Sequence, residues 1–171
     1  IDRVDIFIRP SHFHLPPTQN SPILMIGAGT GLAPFIGFLQ ERAHHLQTGR
    51  HLGPAWLFIG LRHSEVDFLF ESELRKFEES GVLNHLHVAF SRQDPNRKVY
   101  VQDALKQHRH ELREVLSNDA YVYVCGDAKT LSSSVKATLA RIMYPEDLAK
   151  GAVFVKELHR NGHYVEDVWT D

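Results

Sequence analysis

From residue 22 onward the chain alternates short, almost wholly apolar blocks with longer stretches of mixed character. "PILMIG", "AWLFIGLR", "LHVAFSR" and "AYVYVCG" are the blocks, and continuous apolar runs of this length bounded by turn residues are the pattern of strands covered on both faces. Residues 33–47, "FLFESELRKFEESG", 101–116 and 128–143 lie after them and read as helices. Gly49 and Gly81 follow the first two helical stretches, and Asp127 is placed to cap the fourth. Four consecutive strand–helix units predict an α/β fold, a doubly wound parallel sheet. Near the C-terminus "VFVKELHRN" carries a short helical stretch, and "HYVEDVW" alternates like a final strand.

Before residue 22 the pattern differs. "VDIFIR" alternates like a half-buried strand, and "PSHFHLPPTQNSP" is a proline-rich connector that cannot continue it. We therefore expect residues 1–21 to be the end of a preceding domain and its connector, and 22–171 to be one domain. The initial Ile adds the expectation that the chain is a piece of a longer protein, whose anchor or signal would not be visible here.

Composition narrows the partners. The 171 residues are 43% hydrophobic and formally carry a net charge of −2, enough for one core and without the basic footprint of a nucleic-acid binder. No stretch is long and apolar enough to cross a bilayer. The single cysteine, Cys125, excludes an internal disulfide and fits a reducing, cytoplasmic setting. Histidine pairs such as His85/His87 and His108/His110 lack the companion ligands of known metal motifs, so no metal is expected.

Three stretches are candidates for chemistry. "GAGTG" places Gly27, Gly29, Thr30 and Gly31 between a strand and a helix, where glycines admit a pyrophosphate to the backbone, helix-start N–H groups face it and the Thr30 hydroxyl adds a donor. Its plainer reading is a tight turn with no ligand, which the strand-to-helix context disfavours. "FSRQDPNRKVYVQ" carries Ser91, Arg92, Lys98 and Tyr100; the guanidinium fork, the ammonium and the hydroxyl suit the 2′-phosphate of NADP, and the ring offers a face to adenine. Its plainer reading is a solvated basic loop. Cys125 ends the fourth strand, with Asp167 and Trp169 close to the terminus; singly each reads as packing, and only their joint presence suggests a site.

In this order and spacing, "GAGTGLAPFIGFLQER", "FIGLRHSEVDFLFESEL", "AFSRQDPNRKVYVQD", "YVYVCGDAK" and "GHYVEDVW" resemble the NADPH-binding module of the diflavin reductases, a branch of the ferredoxin–NADP reductase superfamily. The resemblance covers essentially the whole chain. It implies a Rossmann-like NADP-binding domain preceded, over residues 1–21, by the end of an FAD-binding barrel. It assigns Gly27, Gly29, Thr30 and Gly31 to the pyrophosphate, Arg62 to the cofactor phosphates, and Ser91, Arg92, Lys98, Tyr100 and Gln102 to the 2′-phosphate and adenosine. It also assigns Cys125 and Asp167 to the nicotinamide, and makes Trp169 an aromatic that stacks on FAD and must swing away.

NADPH would then pass hydride to FAD, and electrons would continue through FMN to an acceptor protein. The implied partners are the FAD- and FMN-binding domains of the same polypeptide and that acceptor; alone, this piece would bind cofactor and catalyse nothing. "SHFHLP", "GPAWLFIGLRH" and "GVLNHLHVAFSR" are most similar to the branch serving methionine synthase, whereas "RKVYVQDALKQHR" is at least as similar to the microsomal, cytochrome-reducing branch. A sulfite-reducing branch and a nucleotide-binding module without catalysis are the alternatives. The chain departs from the family pattern at Ala28, Leu61, His163 and Ser134, which stand for proline, cysteine, arginine and an aspartate expected to touch the cofactor, and the loop from Arg92 to Lys98 is short for the methionine synthase branch.

Overall fold

The structure, a computed structural model, describes residues 3, 6–8 and 10–170. Five strands form one sheet: β1 (Ile23–Ala28), β2 (Ala55–Leu61), β3 (His85–Phe90), β4 (Tyr121–Asp127) and β5 (Tyr164–Trp169). All neighbours pair in parallel in the order β3-β2-β1-β4-β5. The chain thus winds outward from β1 on one side and returns on the other, which opens a crevice at the carboxyl ends of β1 and β4.

Side chains of β1 alternate between two cores, which is why its sequence is apolar without interruption. Ile23 and Met25 pack with Phe35 and Leu39 of α1 (Ala33–Gln47) and Leu74 of α2 (Glu71–Glu79). Leu24 and Ile26 face Leu105 of α3 (Val101–Gln107), Leu112 of α4 (Arg109–Ser117), Val135 and Leu139 of α5 (Ser133–Met143) and Val155 of α6 (Leu148–Arg160). The doubly wound α/β sheet expected from the pattern is the observed architecture.

Several boundaries differ from expectation for local reasons. The second helix starts at Glu71, not residue 68, because Phe70 turns the chain at φ 61° and residues 62–70 form a loop. The third helical stretch divides at His108 (φ −98°, ψ 25°), whose ring packs at a 35° tilt on His87 with centroids 3.8 Å apart. Residues 128–132 make a π turn before α5; Asp127 caps this turn by accepting from Thr130 N and Oγ1, each at 2.7 Å. The last helix is longer than expected and begins where Asp147 accepts from Lys150 N.

Of "VDIFIR", residues 6–8 form no strand and are exposed, and the remainder lies outside the described residues. The connector is irregular but not loose: the Phe13 ring packs on Phe38 at 5.4 Å, Tyr123 at 5.5 Å and Phe35 at 5.9 Å. At the amino edge of the sheet, buried Arg42 donates from Nη2 to Gly53 O at 2.7 Å and from Nε to Val82 O at 3.2 Å, clipping α1 to two loops. Among the described residues no helix is long and apolar enough to cross a membrane.

Candidate functional site

Four loops meet at the carboxyl edge, and the glycines of the first have different tasks there. Gly29 takes φ 55°, and nothing lies within 4 Å of where a Cβ would stand, so its outer face is open for a close approach. Gly31 is a packing requirement instead: a Cβ there would sit 2.1 Å from Cys125 O, where the 3-10 turn Gly29–Leu32 that leads into α1 crosses β4. Thr30 is exposed, and Pro34 occupies the first turn of α1, where its missing N–H costs nothing.

The second and third loops are joined. Arg62 follows β2, and Ser91 and Arg92 follow β3, one strand over. Ser91 N donates to Leu61 O at 2.8 Å, and Ser91 Oγ donates to the same carbonyl at 3.1 Å, so the hydroxyl proton here serves the backbone. Arg92 N donates to Arg62 O at 2.9 Å. Lys98 and Arg92 are exposed on this loop, and Tyr100, 44% exposed, presents its ring directly before α3. Gln102 lies half-buried in the first turn of α3.

Two residues that the sequence did not single out hold these loops. Asp67 accepts from Arg62 N through Oδ2 at 2.8 Å and from His63 N through Oδ1 at 2.7 Å. What burial there is opposes its ionisation, but the two N–H donors and the Arg62 charge prevail and hold the carboxyl below its usual range. Gln93 Oε1 accepts from both Ser64 N, at 3.0 Å, and Ser64 Oγ, at 3.1 Å. An aspartate six residues after a strand end is the one available sequence signal; a glutamine reaching the adjacent loop leaves none.

The fourth group lies across β1, β4 and β5. Cys125 is in register with Gly27 on one side and Asp167 on the other. By strand alternation Asp167 and Trp169 share the sheet face of Val165, the face on which Cys125 packs. Burial, with the Asp167 charge adding to it, pushes the Cys125 thiol up to about 11. At neutral pH it is therefore a small neutral thiol and not a nucleophilic thiolate. Trp169 is 40% exposed at the end of β5.

That strand is anchored from its other face, where Glu166 accepts from Lys136 Nζ at 2.8 Å and also from Ser132 Oγ and Tyr164 OH. Ser134 is half-buried near the start of α5. The histidines join one aromatic group: His85 stacks on Trp56 at 3.7 Å, and His87 stacks on Phe58 at 4.5 Å and meets His108 at a tilt. Among the described residues no group of three or more His, Cys, Asp or Glu is placed to hold a metal ion.

A sequence profile of the oxidoreductase NAD-binding domain matches residues 25–136. Over 98% of its length the chain is similar to NADPH–cytochrome P450 reductase of Homo sapiens, 42% identical over 170 residues, and to that of Dictyostelium discoideum, 42% identical over 175 residues. Over 92% of its length it is 43% identical to methionine synthase reductase of Bos taurus. The chain spans about a quarter of the length of these relatives.

Proposed function

Because the chain belongs to the oxidoreductase NAD-binding domain family, of the diflavin reductase kind, we propose that residues 22–171 bind NADPH at the carboxyl edge and present its nicotinamide to FAD. The observation that carries this reading is the convergence at one topological switch point of an open glycine turn, two arginine loops and a Cys125–Asp167 strand pair. Residues 1–21 we read as the end of an FAD-binding barrel and its connector, with further FAD- and FMN-binding domains elsewhere in the polypeptide.

On this reading each part has a physical task. Arg92 and Lys98 hold the 2′-phosphate, with the Arg92 fork giving direction as well as charge, and Ser91 joins them once its hydroxyl turns from Leu61 O to the phosphate. Tyr100 stacks on the adenine, and Gln102 borders it. Backbone N–H groups around Gly29 and Gly31, the Thr30 hydroxyl and the Arg62 guanidinium meet the pyrophosphate, with Gly27 letting the turn close. Bound together, the nicotinamide and the flavin supply a hydride donor and acceptor. Cys125 offers an uncharged, close-fitting wall, and Asp167 a negative charge that favours the oxidised, positively charged ring. Trp169 covers the flavin when the nicotinamide is away.

For the acceptor we propose methionine synthase, in the cytoplasm, supported by the segments quoted above and the 43% identity to a methionine synthase reductase. A microsomal cytochrome acceptor is the second reading, favoured by "RKVYVQDALKQHR" and by the relatives matched over 98% of the chain. The first test is calorimetric titration of the chain with 2′,5′-ADP and with 5′-AMP. Binding of the first and little of the second is expected. Equal binding removes the NADP preference, and no binding by folded protein leaves a module that has lost its ligand.

A further inference from the structure

The loop that carries Arg62 has no regular structure between β2 and α2, yet the backbone of Arg62 is fixed at both ends. Its N–H donates to Asp67 Oδ2, and its carbonyl accepts from Arg92 N. Two successive N–H groups, of Arg62 and His63, point the same way and would form a small anion-binding hollow. Asp67 fills that hollow with its own carboxylate. An incoming phosphate is therefore left to the Arg62 side chain, whose root is held still. One residue further on, Ser64 is tied by two hydrogen bonds to Gln93, which directly follows Arg92.

We propose that Asp67 and Gln93 are positioning residues, Asp67 fixing the Arg62 turn within its own loop and Gln93 tying that loop to the Arg92 loop, so that the pyrophosphate and 2′-phosphate subsites stand as one preorganised unit. The inference deepens the proposed function and rests on it. Its physical content is that ordering a long arginine on a free loop would otherwise be charged against binding, whereas here folding has already ordered the backbone. Asp67 and Gln93 touch no ligand themselves and act through Arg62.

The test uses NADP⁺, which spans both subsites, and 2′-AMP, which reaches only the Arg92 side, titrated calorimetrically against the chain and its variants. Asp67→Asn keeps the shape and one acceptor; it and Gln93→Ala are expected to weaken NADP⁺ about tenfold and 2′-AMP less than about twofold. In an Arg62→Ala background, adding Asp67→Asn should change NADP⁺ affinity by less than about twofold, because the group being positioned is gone. Equal losses for both ligands, an additive loss on Arg62→Ala, or unchanged NADP⁺ affinity in the folded variants would each overturn the proposal. Gln93, exposed on its loop, carries the same test if Asp67→Asn does not fold. Failure of the unaltered chain to bind either ligand would remove the proposed function and this inference together, and is read without any variant.

Discussion

Arg92 shows how much one side chain decides. It is exposed, and its backbone is pinned to Arg62 O, so a substitution removes the guanidinium without disturbing the loop. Arg92→Ala is expected to weaken NADP⁺ by about 1.5–3 kcal/mol, the scale of a hydrogen bond to a charged group, and to leave NAD⁺ within about twofold; titration with both cofactors checks it. Ser91, Arg92, Lys98 and Tyr100 stood out in the sequence as candidates because a basic cluster with an aromatic at a strand end is itself a chemical signature. Asp67 and Gln93 were not, since their partners are backbone amides and a serine that only the folded loops bring near. Gly31 carries a further constraint that the sequence did not show: a Cβ there would meet the carbonyl of Cys125, which belongs to a strand far along the chain.

At the scale of elements, the division of the third helix at His108 creates a stack whose behaviour depends on pH. His87, on β3, is pushed down to about 4 by burial first, then by the neighbouring His108 and His85, with Glu111 of α4 opposing. His85 is lowered in the same direction, and Glu78 of α2 as well as Glu111 opposes its shift. In the unfolded chain a histidine takes its proton near pH 6.5, whereas folded His87 resists until about 4. The stability contributed by the neutral His87 therefore falls as pH drops from about 6.5 to about 4 and levels below that. Urea unfolding midpoints at pH 7.5, 6, 5 and 4 should show the decline, and His87→Phe should flatten it; an unchanged slope in that variant would remove His87 as its source. Helix limits set by caps and glycines agreed with the sequence at 33–47, but the break at His108 goes with its contact to His87 on β3, and the late start at Glu71 with the left-handed turn at Phe70.

For the whole molecule, the connector before β1 is part of the folded body. Phe13 joins Phe35, Phe38 and Tyr123 in one aromatic group on the α1 face. Phe13→Ala is expected to cost about 2 kcal/mol of unfolding free energy, less than a fully buried phenylalanine because this ring is half-exposed. Urea denaturation measures it, and a change below about 0.5 kcal/mol would make the connector a passive linker. The apolar blocks by themselves determined the parallel doubly wound sheet, because a strand covered on both faces must be apolar along its length and successive parallel strands need crossovers. Only the tertiary structure decided the order β3-β2-β1-β4-β5, which sets Cys125 beside Asp167 and Arg62 beside Arg92. Strand order is chosen by which buried faces pack best together, and that energy belongs to contacts between segments far apart in the chain.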